Sequence, residues 1–383
     1  MKKYTDMFGG DIKIPNIVNE KMEDAFSEIK NVENIPVNKL NDAHAKKTKK
    51  IMFFRSHAAA VACICILMLG SITAYAVYNN FWSRGMQGTL QSTEQQQQTL
   101  VEEGVAKIFQ QEESYVHMAV SDEGITVTPE MMVVNDKMVY ISLSVDGFHL
   151  DDGEEPCFEF VDVYMGDDPE AVEGWLMTGA SFYDGIISGE DGTNMYEDGS
   201  PLILDENGRL VSYYTDEEGK MEYIIVAMVS RPEDSMLGKD LHVNLSNLGT
   251  VYKTDFSENI EGNWDFTFSL PNVSSTKEIT IGSSIDDTNF IVDSMEISPV
   301  SIKINYSVDN SDTFSEMIPK FNGVVLEDGT IIRNMLDMGK SGYIDESLSK
   351  AYAISSFNRI IKIEQVSAII LEAKNGMKVI EVN

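Results

Sequence analysis

An uninterrupted apolar run from Ala58 to Tyr78 constrains the fold of this chain more than any other feature. It has no charged residue in twenty-one positions, and as an α-helix it would extend about 31 Å, which matches the hydrocarbon core of a bilayer. Its hydroxyl groups, on Ser71 and Thr73, can bond back to their own helix. A core helix of a soluble protein would carry a polar stripe. The run is therefore predicted to be one transmembrane helix, residues 58–78.

The flanks of the run predict its direction. Basic residues precede it at five positions: Lys46, Lys47, Lys49, Lys50 and Arg55. The next basic residue after it is Arg84, so the positive-inside rule places the amino terminus in the cytoplasm and the carboxy terminus outside the cell membrane. Phe53 and Phe54 at one edge, and Tyr75, Tyr78, Phe81 and Trp82 at the other, lie where aromatic rings favour the headgroup zone.

A cleaved signal peptide is the competing interpretation of this run. The sequence Ala74-Tyr75-Ala76 has the small-x-small form that signal peptidase recognises. The 57 preceding residues and the length of the apolar run exceed what an ordinary signal peptide has. An uncleaved anchor is therefore favoured.

Charge and cysteine content exclude several classes of function for the outer part. Residues 1–57 carry a net charge of +3, whereas residues 79–383 carry −36. A strongly acidic domain repels nucleic-acid phosphate, but it suits a solvated envelope domain that could attract cations or basic wall components. Cys157 is the only cysteine beyond the apolar run. A disulfide within the outer part and a cysteine zinc site are thereby excluded.

Residues 1–57 contain one strong helical pattern. After Pro15 and Asn16, apolar residues recur at steps of three and four: Val18, Met22, Ala25, Phe26 and Ile29. A segment this short cannot bury such a face by itself, so the pattern predicts a cytoplasmic amphipathic helix that docks on a partner, either another protein or the membrane surface. The alternative is a frayed segment that only tethers the chain.

The outer part is predicted to be mainly β. A polar, glutamine-rich segment, residues 79–113, is predicted to be a helical stalk. Strand-length apolar runs separated by turn signals follow, including Asp122-Glu123-Gly124 and the hairpin turn Asp205-Glu206-Asn207-Gly208. They predict an extracytoplasmic β domain at 114–271 and, after the linker PNVSSTK, a β-sandwich of about seven strands at 272–383.

Motifs of catalysis are missing from the sequence. There is no HExxH, GxSxG, GxxxxGK[ST] or GxGxxG. His117, His149 and His242 each stand alone, and the two Ser-x-x-Lys tetrads, beginning at Ser274 and Ser347, lack the companion motifs of penicillin-recognising enzymes. The sequence predicts neither an enzyme nor a cofactor.

An acidic stretch in the outer part has the residue types that bind calcium. Its carboxylates are Asp184, Glu190, Asp191, Glu197, Asp198, Asp205 and Glu206. Hard oxygen ligands of this kind suit calcium, but the ligand order of an EF-hand is missing. Solvated hairpin turns are the favoured interpretation, so no metal site is predicted.

The order of parts resembles a known family. The helix IPNIVNEKMEDAFSEIK, the basic stop, one span, and WSRGMQGTLQSTEQQQQTLVEEG leading into SDEGITVTPEMMVVNDKMVYISLSV are similar to bacterial membrane proteins of domain-of-unknown-function family 4179. The tail, with VDSMEISPVSIKINY, is similar to the sandwich domain that often follows in that family. The resemblance implies an anti-sigma-factor-like regulator, whose inner segment binds an extracytoplasmic-function sigma factor and whose outer domains sense an envelope signal.

The chain departs from zinc-dependent anti-sigma factors, because residues 1–57 contain no cysteine and only His44 and His57. Sigma-factor binding would then rest on the apolar face of Val18, Met22, Phe26 and Ile29. The alternative function is an envelope binding or adhesion module whose inner segment is a passive tether.

Overall fold

The computed structural model describes residues 82–111, 118–151, 153–166, 176–216, 218–252, 255–309 and 317–382. This part of the chain is mainly β, as predicted. No helix within it is long and apolar enough to cross a membrane. The predicted span at 58–78 and the predicted cytoplasmic helix lie outside the described residues.

Two short helices open the described chain: α1, Arg84–Thr89, and α2, Glu94–Glu102. Ser83 caps α1, since its Oγ accepts a hydrogen bond from the amide of Met86. Thr93 and Gln96 form a reciprocal capping box at the start of α2. We call residues 82–102 the interdomain segment.

The N-terminal β domain, residues 106–270, contains strands β1 to β11. They are Ala106–Ile108, Val120–Asp122, Ile125–Val134, Met138–Asp146, Glu155–Met165, Leu176–Phe182, Ile186–Ser188, Asn194–Tyr196, Met221–Val229, Asp240–Tyr252 and Asp255–Ser269. One antiparallel sheet has the order β1-β3-β4-β9-β6 with β2 paired to β3, a second has the order β11-β10-β5, and β7 and β8 form a separate hairpin.

The turn between β2 and β3 follows its sequence signal. Asp122 pairs with Ile125, which leaves a two-residue loop. Glu123 and Gly124 have φ angles of 47° and 83°, as a primed hairpin turn requires, and Gly124 adopts this conformation without strain. Strands β2, β3 and β4 therefore form an antiparallel meander.

An aromatic cluster joins the two sheets of the N-terminal β domain. Phe158 on β5 lies 5.5 Å from Trp264 on β11 and 4.9 Å from Tyr223 on β9, between ring centroids. The Trp264 indole donates to the carbonyl of Ile125 at 3.3 Å. Aromatic rings at these separations bury large apolar areas. Because the rings come from both sheets, the two sheets pack face to face as a β-sandwich.

The C-terminal β domain, residues 277–382, contains strands β12 to β20. They are Lys277–Ser284, Phe290–Ile297, Ser301–Val308, Lys320–Leu326, Ile331–Ile332, Leu336–Tyr343, Lys350–Phe357, Val366–Ala373 and Gly376–Glu381. Its sheets have the orders β12-β13-β14-β18-β17 and β16-β15-β19-β20. They share one core, with Ile304, Phe321 and Ile369 fully buried, so the predicted β-sandwich is confirmed with two more strands than expected.

The two β domains are packed against each other. Val300, Tyr352, Ile354 and Ile360 of the C-terminal β domain belong to the hydrophobic core of the N-terminal one. The Tyr140 hydroxyl on β4 donates to the carbonyl of Phe357 at 2.7 Å across this interface. The hydrophobic core of the N-terminal β domain therefore continues across the interface onto one face of β18.

The interdomain segment does not form the stalk that its sequence predicts. The side chains of Met86, Leu90 and Leu100 are 0%, 0% and 2% exposed, because α1 packs on β4 and β9, and α2 packs on β1. In a free stalk these side chains would be exposed to water, and each would lose about 1.5–3 kcal/mol of stabilisation from burial. The presence of helices was predicted correctly. The prediction that residues 82–111 stand away from the β domain as a stalk was wrong.

Candidate functional site

The interdomain segment is our candidate functional site, because it follows the predicted span within a few residues and contacts both β domains. On the side of the N-terminal β domain, the amide of Gly85 donates to Glu222 Oε2 at 2.7 Å. The hydroxyl of Ser142 donates to the same oxygen at 3.3 Å and hydrogen-bonds Ser83 Oγ at 2.8 Å. Burial raises the pKa of Glu222. This carboxyl group thus joins the start of α1 to β9 and β4.

Arg84 and Gly88 fix the orientation of α1. Arg84 pairs with Glu197 at 2.8 Å, donates to the carbonyl of Tyr213 at 2.8 Å, and lies 5.0 Å from the ring centroid of Tyr183. A Cβ atom added to Gly88 would lie 2.2 Å from the Tyr183 ring. Burial, followed by the charge of Glu197, raises the pKa of Tyr183. The helix therefore rests directly on Tyr183, and only glycine permits this approach.

Gln91 joins the segment to the C-terminal β domain. Its amide donates to the carbonyl of Asn358 at 3.0 Å, and its carbonyl accepts from the amide of Ile360 at 2.8 Å. This is a parallel β-bridge centred on Arg359. The side chain of Gln96 adds a hydrogen bond of 2.9 Å to the carbonyl of Ile360. Both main-chain groups of Gln91 are thus used by the other domain.

A cavity of about 760 Å³ opens beside these contacts, and we call it the interdomain cavity. The interdomain segment, the β7–β8 hairpin with the turn after it, and residues 359–360 form its walls. Six side chains supply its aromatic and charged lining: Trp82, Arg84, Tyr183, Glu190, Glu197 and Arg359. The cavity thus places aromatic, cationic and anionic groups in one concave site.

The structure tests few of the residues that the sequence singled out. The proposed partner-binding residues Val18, Met22, Phe26 and Ile29, and the orienting residues Lys46, Lys47, Lys49, Lys50 and Arg55, lie outside the described residues. Trp82 is described, and it is 8% exposed within the core of the N-terminal β domain. Its ring packs against protein atoms, whereas the sequence assigned it to the headgroup zone.

The acidic stretch forms turns, as favoured, and Asp191 and Asp198 are exposed, whereas Asp184 is half-buried. Asp184, Asp191, Asp198 and Asp205 each accept a hydrogen bond from the amide two residues later. Such bonds lower the pKa of Asp191, Asp198 and Asp205. These carboxylates therefore stabilise their own turns. The described ranges contain no group of three or more side chains placed to hold a metal ion.

The candidate catalytic groups have structural partners. His242 stacks on Tyr164 at 4.8 Å between ring centroids and hydrogen-bonds Thr267. Ser347 donates to Asp345 at 2.7 Å. Neither Ser-x-x-Lys tetrad lies on a helix, so the lysine is not presented to the serine as the motif requires.

Comparisons with known proteins leave the family open. No family model matches the chain, and no curated protein matches it. The chain is similar to a solved structure described as a conserved domain protein from Bacillus anthracis, at 13% identity and a TM-score of 0.40, over 68% of this chain and 78% of that one. A likeness this distant carries no argument, and the resemblance to family 4179 stays a prediction.

Sequence reasoning missed the central residues of the site: Gln91, Arg84, Glu222 and Arg359. Gly85 and Gly88 were a usable signal, since residues three positions apart lie on one face of a helix and glycine lets a neighbour approach the backbone closely. No local pattern distinguishes Gln91 from the other glutamines near it, because its main-chain partners lie more than 260 residues away.

Proposed function

We propose that this chain is a single-pass membrane-anchored regulator of the anti-sigma-factor type. In this proposal the apolar run 58–78 spans the membrane, the helix with Val18, Met22, Phe26 and Ile29 binds an extracytoplasmic-function sigma factor, and the β domains sense an envelope signal. The alternative is an envelope binding or adhesion module on a passive tether.

One observation favours the regulator over the passive tether. The first described residues after the predicted span are bound to both β domains, through Gly85 to Glu222 and through Gln91 to Ile360. A ligand that shifts one domain against the other would act on this segment, because packed side chains and hydrogen bonds carry coupling between sites. A tether without a signalling role has no need of such contacts.

Co-purification tests the cytoplasmic half of the proposal. The full-length chain, extracted from membranes, is expected to retain the sigma factor encoded beside its gene. The double variant Met22→Asp and Phe26→Asp places two charges on the apolar face and is expected to lose the complex. The control, Ser27→Asp with Asn31→Asp, adds the same charges on the opposite face of the predicted helix and is expected to keep it.

Two results would contradict the regulator. One is no complex with the wild-type chain, and the other is a complex that survives the Met22 and Phe26 changes. Deleting residues 1–40 separates the two functions further. A regulator then loses its effect on transcription from sigma-dependent promoters, whereas an adhesion module keeps its surface binding.

A further inference from the structure

We propose that the interdomain cavity binds a short zwitterionic peptide, with its free carboxylate on Arg359 and its free ammonium group on Glu190. Its role as the sensed signal rests on the proposed function, whereas its binding stands on the geometry of the cavity alone.

Arg359 is a buried cation whose hydrogen bonds go to neutral groups. Its residue is 6% exposed, its Nε donates to Asn358 Oδ1 at 3.1 Å, and its Nη2 donates to the carbonyl of Ser188 at 2.8 Å. No ion pair of Arg359 occurs among the described residues. A buried guanidinium without a carboxylate is costly, so a ligand carboxylate would complete its environment.

Glu190 offers the complementary charge on the hairpin wall of the same cavity. Its residue is exposed, and its charge partly offsets the burial that lowers the pKa of Arg359, although the two side chains do not form an ion pair. Arg84 and Glu197, by contrast, pair directly at 2.8 Å within the cavity. One cation and one anion thus line the same cavity without forming an ion pair, and a zwitterion has the matching pair of charges.

Trp82 and three isoleucines supply apolar area to the cavity. Ile187, Ile332 and Ile360 complete the wall. At about 760 Å³ the cavity has the size of small-molecule sites. These features fit a peptide of a few residues with small apolar side chains.

Trialanine is the probe for this site. The full-length chain in detergent is titrated with trialanine, trialanine amide and N-acetyl-trialanine, and binding is followed by calorimetry and by tryptophan fluorescence. Trialanine is expected to bind, and removal of either charged end is expected to weaken binding about tenfold or more, because each end makes a charge-assisted hydrogen bond.

Three variants assign the two ends of the peptide. Arg359→Gln is expected to bind trialanine and trialanine amide equally well, because the preference for the free carboxylate is lost. Glu190→Gln is expected to bind trialanine and N-acetyl-trialanine equally well, because the preference for the free ammonium group is lost. Arg209→Gln makes the same chemical change on an exposed hairpin and is expected to leave the affinity unchanged. If Arg359→Gln does not fold, Arg359→Lys replaces it. The comparison of the three peptides on the wild-type chain tests the proposal without any variant.

Equal binding of all three peptides, or no binding at millimolar concentrations by the folded chain, would overturn the proposal. A preference that persists in Arg359→Gln and Glu190→Gln would do the same. The outcome is separable from that of the proposed function. Trialanine binding without a sigma-factor complex supports this site and contradicts the regulator. A sigma-factor complex without trialanine binding supports the regulator and contradicts this site.

Discussion

The carbonyl of Gln91 accepts a hydrogen bond of 2.8 Å from the amide of Ile360, across 269 positions of the sequence. Through this bond and its companion to Asn358, the interdomain segment becomes a short strand-like addition to the C-terminal β domain. Six residues earlier, Gly85 is bound to Glu222 of the N-terminal β domain. A change in the arrangement of the two domains must therefore break these bonds or move the segment.

The close contact of Gly88 with Tyr183 gives the first prediction. Alanine is normally favoured over glycine inside a helix by about 1 kcal/mol. Here its Cβ would lie 2.2 Å from the Tyr183 ring, so Gly88→Ala is expected to lower the free energy of unfolding by about 1–3 kcal/mol. Gly179→Ala is the control, since its Cβ meets only Met338 at 3.8 Å. Urea unfolding measures both, and equal stability of the two variants would contradict the docking of α1.

Glu222 gives the second prediction. Glu222→Ala leaves the amide of Gly85 without its acceptor and is expected to cost about 1–3 kcal/mol of stability. Glu222→Gln keeps an oxygen that can accept the bond, so its loss is expected to be smaller. Thermal unfolding of the two variants against wild type measures the difference. Indistinguishable Ala and Gln variants would show that the hydrogen bond to Gly85 contributes nothing.

Asn135 gives the third prediction, which concerns the domain interface. Its residue is 1% exposed, its Nδ2 donates to Ser298 Oγ at 2.7 Å, and its Oδ1 accepts from the amides of Lys137 and Met138. Asn135→Ala leaves several buried groups unpaired and is expected to cost about 2–3 kcal/mol.

The half-buried Asn244 is the matched control for Asn135. Its side chain also makes two hydrogen bonds, to Asn263 and Asp265, on the solvent side of β10. Water can replace these partners, so Asn244→Ala is expected to change stability by less than about 0.5 kcal/mol. A similar loss in both variants would mean that the Asn135 network does not hold the domains together.

Asp345 gives a prediction about pH. Hydrogen bonds from Ser349 and Ser347 lower the pKa of this carboxyl to about 2, from an ordinary value of 3.8. A carboxyl whose pKa is lower in the folded state stabilises the fold above its unfolded pKa and loses this contribution as the pH falls through the folded pKa. The melting temperature of wild type is therefore expected to exceed that of Asp345→Ala at pH 6, and the gap is expected to narrow between pH 4 and pH 2. A constant gap would contradict the assignment.

Local chemistry accounts for the parts of the fold that the sequence predicted. The primed turn at Glu123 and Gly124, the solvated turns at Asp198 and Asp205, and the alternating strands depend on neighbours in the chain. The packing of the interdomain segment depends on distant partners. Gln97, for example, is 6% exposed, because its amide bonds Gln87 and Ser92. The glutamine-rich segment was predicted to be a helical stalk, but part of its helix surface is buried.

The candidate site was beyond sequence reasoning for the same reason. Arg359 is one basic residue among 29, and only the fold brings it beside Trp82 and Glu190. The acidic turns, which did have a recognisable pattern, use their carboxylates on their own amides.

Amide hydrogen exchange on the full-length chain tests the central claim most directly. If the interdomain segment is bound between the two β domains, the amides of Gln91 and Ile360 are expected to exchange together, and as slowly as that of Ile141 in the middle of β4, because they open only with the domain interface. A Gln91 amide that exchanges at the rate of a free loop, while Ile141 stays protected, would contradict the account.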